Sequence, residues 1–411
     1  MARRIVRGLV GCGLLSVATF VGSACTVTAA PVASDGGLTG DSVAPAETST
    51  PDAGGSVMGP LTFTPSNVDL SGIDLTKVGD FVVDGDCSVD TDTNLASCGD
   101  GAGVLGFKIA TQSDGSKVAV YVAKSVTIQA GKSLSIAGSH PLVFIALETI
   151  TIGGALNGNS REDVGVAGGS SQRTHGGKGV GPGGGAAAGA LTASSGGSYC
   201  GIGGAGGAES GTPSPGGVAY GTPAITPLVA GSSGGDDSGG AGGGAIQLVA
   251  GTSITVESTG VIHVGAGRGG FGGISGQEGG GGGSGGSILL ESLAVTVAGT
   301  LAANGGGAGA GTSSGVGSPP PQDPGGANAT PNATPAAGGK AGVGPSSGGA
   351  GSAGASVDGV AGSFTPGNND AAGGGGGGAG RIRINTKTAA TLSGVLSPAA
   401  TTPCVTQGTV H

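Results

Sequence analysis

The 411-residue chain has no tryptophan, only three tyrosines and seven phenylalanines, so a core built on large aromatic anchors is excluded. Regular layers of Val, Ile, Leu and Ala must take that role. Charge is scarce as well, at 10% of residues with a formal net of −9. Without clustered Lys and Arg there is no surface to track a phosphate backbone, which excludes nucleic acid as a partner. No Cys/His spacing suits zinc. The chain also lacks an EF-hand, so neither a metal nor another cofactor is expected. Beyond the N-terminus no apolar run is long enough to span a bilayer. Glycine, in contrast, makes up 99 residues, about a quarter of the chain, against roughly 7% in average proteins. It shows no G-X-Y period, and collagen is excluded.

Order emerges in residues 285–303, GGSILLESLAVTVAGTLAA. Three short apolar segments, Ile288/Leu290, Val295/Val297 and Leu301, alternate with polar or small residues, the signature of half-buried strands. Four further stretches repeat this pattern. They begin at Val118/Val120/Val122, Leu142/Phe144, Ile246/Leu248 and Ile382/Ile384. A glycine precedes the third strand each time, at Gly131, Gly154, Gly260, Gly299 and Gly394, and a sharp positive-φ corner is the natural expectation. Self-similar three-strand units predict an all-β fold, a parallel β-solenoid (right-handed β-helix) of about five coils over residues 117–400. The excess residues between units fall in 158–244, 265–286 and 304–380, so three glycine-rich inserts are expected to leave from one corner. Flexible coil and extended three-per-turn packing are both open to them.

Residues 60–116 hold three of the seven Phe and many Asp, and read as an acidic N-terminal cap. Residues 401–411 form a C-terminal tail. Asp84, Asp86, Asp90 and Asp92 read as a solvated loop bracketed by Cys87 and Cys98. With Cys200 and Cys404 there are four disulfide candidates and three possible pairings. Cys87–Cys98 is the local choice, and Cys200–Cys404 would then tie an insert to the tail.

The N-terminus carries an address. MARRIVR is basic and an apolar stretch follows, so residues 1–24 read as a signal peptide. Val21-Gly-Ser-Ala-Cys25 resembles a bacterial lipobox, with Gly22 where the pattern has an aliphatic residue. The resemblance implies lipidation at Cys25 and a membrane partner through that anchor, outer-membrane-attached or extracellular. Ordinary cleavage near Ala29 or Ala30 is the alternative. Residues 25–59, rich in Ala, Ser, Thr and Pro, read as a disordered tether.

The search for chemistry returns little. His140, His175, His263 and His411 show no ligand spacing, and His175 with Asp236 or Asp237 is the nearest approach to a triad. Outward positions of the first strands are expected at Ala119/Tyr121, Val143/Ile145, Gln247/Val249, Leu289/Glu291 and Arg383/Asn385; they offer no paired carboxylates. The middle strands carry Thr at one position in every unit: Thr127, Thr151, Thr255, Thr296 and Thr391. Such a ladder resembles those of solenoidal ice-binding proteins; high β propensity of Thr accounts for it equally.

Export signal, Ala/Ser/Pro tether and GGGGGGAGRIRI-type inserts together resemble a loose group of glycine-rich surface lipoproteins of Gram-negative bacteria. That resemblance implies cell-envelope location and repeat architecture, with no catalytic residues to carry over. The expected function is a non-enzymatic surface structural or adhesive lipoprotein with a cell-surface glycan or protein partner. A carbohydrate-active β-helix enzyme is the second expectation and ice binding the third.

Overall fold

The computed structural model describes residues 61–98, 105–171, 177–236, 238–271, 278–312, 325–340, 346–364 and 371–411. The signal peptide, the tether and Cys25 lie outside the described residues, as do His175 and Asp237. The described chain is all-β, with one 3-10 turn at Leu75–Lys77. It opens with β1 (Phe81–Val83), β2 (Asp86–Asp90), β3 (Leu95–Ser97) and β4 (Gly106–Thr111). The first two repeat units supply β5 (Lys117–Ala123), β6 (Val126–Ile128), β7 (Ser133–Ala137), β8 (Leu142–Ala146), β9 (Thr149–Ile152) and β10 (Ala155–Asn157). The next two give β11 (Ala245–Val256), β12 (Val261–His263), β13 (Ser287–Val297) and β14 (Thr300–Ala302). The chain ends with β15 (Arg381–Thr386), β16 (Thr391–Leu392), β17 (Val395–Ser397) and β18 (Val405–Gly408).

These strands do not form the expected parallel β-solenoid of five coils. They make one eleven-stranded and one seven-stranded sheet, both mixed, which curl into a half-barrel. Two antiparallel pairs, β2–β3 and β4–β5, break the parallel order. In the third and fourth units the predicted first and second strands fuse into β11 and β13. The register there shifts between Ala250 and Ser253 instead of turning a full corner. Between the repeat units, the described residues of the glycine-rich segments contribute no named strand.

Inside the half-barrel lies one apolar cluster. Ile246/Leu248, Ile288/Leu290 and Ile382/Ile384 of the larger sheet meet Leu134, Leu156, Ile262, Leu301 and Leu396 of the smaller one. Parallel register holds these columns: Ile246 pairs with Leu142 and Ile288, and Ile288 with Ile382. The first unit is the exception. Ala119 pairs with Leu142 and Tyr121 with Phe144, so Ala119, Tyr121 and Ala123 face inward, not Val118, Val120 and Val122. Inward Tyr121 fits because its hydroxyl donates to the Asp90 carbonyl at 2.6 Å and its ring packs near Phe107 and Phe144.

The outer face of β5, β8, β11 and β13 is buried too. Leu61, Phe63, Val68 and Leu70, from a strap that precedes β1, cover Val118, Val120, Val122, Val143, Ile145, Val249 and Leu289. Ile225 and Leu228 complete the cover. Burial on both faces explains why these strands read as continuous apolar runs such as VAVYVA and LVFIA. The 60–116 segment therefore does more than cap an edge. β1 adds to β6, β2 adds to β7, and the strap crosses the sheet.

The corner glycines also have a different cause from the one expected. Only Gly131 has positive φ, at 74°. At Gly154, Gly260, Gly299 and Gly394 a Cβ would lie 1.9–2.2 Å from a backbone carbonyl of the unit below. Close stacking of turns, not backbone handedness, requires glycine there.

Candidate functional site: a glycine lattice beside a threonine column

The glycine runs are ordered. Residues 279–286 (GGGGGSGG) hydrogen-bond to their surroundings with a period of three. Gly279, Gly282 and Gly285 donate their amides to Ala372, Gly375 and Gly378; Gly280, Gly283 and Gly286 donate to Gly270, Gly267 and Val264. Gly281 and Ser284 donate to Gly235 and Ser232. The same segment accepts from Gly197, from Gly240 and Gly243, and from Gly306 and Gly309. It is thus ringed by six other segments. Residues 373–380 repeat the arrangement. Gly373, Gly376 and Ala379 donate to Ser363, Val360 and Val357; Gly374, Gly377 and Gly380 donate to Gly309, Gly306 and Ala303; Gly375 and Gly378 donate to Ser194 and Gly197.

Three-residue periodicity is that of the extended polyproline-II-type helix, which has no internal hydrogen bonds and must pair its backbone with neighbours. Six-fold packing does this, and it leaves no room for side chains. A Cβ at Gly281 would sit 1.9 Å from the Ser195 carbonyl oxygen, at Gly376 1.9 Å from that of Ala350, and at Gly377 1.7 Å from that of Gly283. In residues 279–286 and 373–380 three-per-turn packing, rather than flexible coil, is the state adopted. The non-glycine residues inside are mostly small. Ser194, Ser195, Ser198, Ser232 and Ser284 are buried and use their hydroxyls on backbone groups, as in Ser198 to the Gly217 carbonyl at 2.6 Å.

Three larger side chains pin the lattice to the sheets. Tyr199 is fully buried, stacks on Tyr220 at 4.6 Å and lies under the Arg381 guanidinium at 5.7 Å. Burial pushes the Tyr199 phenol up to about 12. Arg381 opens β15 and donates to the Tyr220 carbonyl at 3.2 Å. Next to Tyr199, Cys200 is bonded to Cys404, as the second of the two expected pairings proposed. Cys87 and Cys98, the local pair, are free thiols.

The five threonines form a register column. Thr127 pairs with Thr151, Thr151 with Thr255, Thr255 with Thr296 and Thr296 with Thr391. The first four are partly exposed and Thr391 is exposed. Parallel pairing spaces neighbouring hydroxyls at about 4.8 Å. Beside them Thr149, Ser253 and Ala294 make a second column.

Of the polar residues expected to face outward on the first strands, Gln247, Glu291 and Asn385 do point away from the inner cluster but are buried there, while Arg383 is half-buried. Glu291, only 2% exposed, accepts from the Ser66 amide (3.0 Å), the Ser66 hydroxyl (2.7 Å), Gln247 Nε2 (2.6 Å) and Asn385 Nδ2 (3.0 Å). Four donors satisfy a carboxylate that would otherwise be costly to bury. Asn67, which adopts positive φ, adds bonds to Gln247 and the Ile225 carbonyl. The network latches the strap. Sequence reasoning missed it, although a Gln and a Glu within otherwise apolar runs were the available signal.

Among the described residues no group of three His, Cys, Asp or Glu side chains could hold a metal ion. Of the acidic-loop residues, Asp86 accepts from Ser133, Asp90 from the Asp92 and Thr93 amides, and Asp92 from Ser139 and His140. Ser139 donates to Asp92 rather than to His140, so this Ser–His–Asp trio does not form a proton relay. The His411 ring contacts the Thr409 hydroxyl at 2.9 Å, and its carbonyl accepts from the Thr64 amide at 3.0 Å. No helix among the described residues is long and apolar enough to cross a membrane. The chain matches no family model, no curated protein and no solved structure.

Two buried titrations oppose each other. Burial, with Arg161 nearby, depresses His263 to about 4. Its unfolded form binds a proton near 6.5, so stability falls as pH drops from 6.5 to 4, by on the order of 3 kcal/mol. Glu278 moves the other way. Burial and the facing carboxylates of Glu209 and Asp236 raise it to about 8, against the Ala372 amide that donates to it. Stability is therefore lost as pH rises from about 4.5 to 8. Denaturant melts across pH should show the acid limb flattened by His263→Gln, and the alkaline loss reduced by Glu278→Gln.

Proposed function

We propose that the protein is a non-enzymatic, exported cell-surface structural or adhesive lipoprotein, anchored through Cys25, with a cell-surface glycan or protein partner. The observation that carries this reading is the glycine lattice. Two glycine-rich segments, each ringed by six others, make a block of paired backbone that would supply stiffness and surface rather than reactive groups. The export-type N-terminus and its resemblance to surface lipoproteins support the location. Binding of the purified chain to intact cells or to a glycan array, without cleavage of polysaccharide, is the expected result. Polysaccharide cleavage without binding would overturn the reading in favour of a carbohydrate-active enzyme. Mass spectrometry of the mature N-terminus tests the anchor: an unmodified Cys25, or a start downstream of it, ends that part of the proposal.

The threonine column favours a second reading, binding to ice through hydroxyls at regular spacing. Thermal hysteresis that is lost in Thr255→Leu is its expected signature. Hysteresis that is absent, or unchanged in that variant, rejects it.

A further inference from the structure

The two buried free thiols, Cys87 and Cys98, take no part in the lattice, the strap network or the threonine column. β2 and β3 pair antiparallel with Ser88 opposite Ser97, which sets Cys87 opposite Cys98 at the next position along the same register. Both are buried, 5% and 8% exposed, and both belong to the inner apolar cluster. The Cys98 side chain neighbours that of Cys87, and neither is bonded covalently. The same chain already holds one disulfide, Cys200–Cys404. β2 is the strand by which the N-terminal segment joins the smaller sheet at β7, and β3 is that sheet's free edge.

We propose that Cys87 and Cys98 are a modification site, a dithiol that closes to a second disulfide and locks the β2–β3 hairpin as the end of the smaller sheet. The oxidant is a disulfide of the thiol–disulfide exchange class. One cysteine thiolate attacks a donor sulfur, forming a mixed disulfide and releasing one donor thiolate. The second cysteine thiolate then attacks the protein-side sulfur and releases the other. Two electrons pass to the donor, and the two thiol protons end on the two released donor thiols. Burial and the neighbouring Cys87 push the Cys98 thiol up to about 12, which keeps it from ionising while covered. Closure is therefore slow in the folded protein and is speeded by any local opening of the edge.

The test uses the full chain with Cys200–Cys404 intact. It is incubated with oxidised glutathione at about pH 8.5, near the free thiol pKa, in buffer and in urea below the unfolding midpoint. The protein is then denatured, alkylated and peptide-mapped. Expected are loss of both alkylated cysteines with a Cys87–Cys98 cross-linked peptide, appearing several-fold faster in urea. In Cys87→Ser, Cys98 stays alkylatable or carries glutathione. Alkylation of both cysteines under both conditions, stable glutathione adducts on both, or pairing of either with Cys200 or Cys404 would overturn the proposal.

Discussion

Replacing Gly377 by alanine is expected to destabilise the protein by about 3 kcal/mol or more, at or beyond the upper end of ordinary overpacking. The new methyl carbon would fall 1.7 Å from the Gly283 carbonyl oxygen. That atom belongs to the other six-neighbour segment, so neither side can retreat without breaking its own bonds. Gly85→Ala is the control: its Cβ would meet no atom within 4 Å, and a change within about 0.5 kcal/mol is expected. Urea titration reads both, with an unchanged slope showing that the native state alone has moved. In wild type the amides of 279–286 and 373–380 should exchange as slowly as those of β11 and β13. Glycine runs behaving as flexible coil would exchange at once, and that result would remove the lattice.

Breaking the Cys200–Cys404 bond should have a comparable effect. The bond closes a loop across a sequence separation of 204 residues. The chain-entropy model assigns such a loop about 5 kcal/mol, and strain or residual structure in the unfolded chain reduces what is measured. Cys404 immediately precedes β18, and Cys200 follows Tyr199 and donates its amide to the Ala379 carbonyl of the 373–380 segment. Cys404→Ser should therefore lower the midpoint of unfolding and preferentially speed exchange in β18 and around Tyr199. A loss confined to β18, with Tyr199 and its neighbours unaffected, would show that the bond merely ties down the tail.

How much of this was legible in the sequence depended on which forces leave a local trace. Inward columns such as Ile246–Ile288–Ile382 and the threonine column were readable, because side-chain alternation is a property of one strand at a time. Cys200–Cys404 could be reached by pairing arithmetic. The sheet architecture could not: whether Ala250–Ser253 turns a corner or only shifts register depends on what packs behind it. Tyr121 misled the register of β5, since an aromatic with a polar tip reads as outward until Asp90 is known to receive it. The lattice was half visible. Its glycine content was plain, but the choice between coil and three-per-turn packing rests on partners that lie far apart, such as Ser194 and Gly375.

That distance sets an order of events. The segment 279–286 draws three of its acceptors from 372–378, and residues 373–380 bond in turn to 194–197, 303–309 and 357–363. No six-membered ring around either segment can be completed until almost the whole chain has been synthesised. Glycine, with the lowest helix and strand preference of the flexible residues, holds no structure in the meantime. Such a chain stays threadable until its last tenth is present and then closes around it. A truncation before residue 371 should consequently leave Gly279, Gly282 and Gly285 without their acceptors, and lose far more order than that of the last tenth of the chain itself.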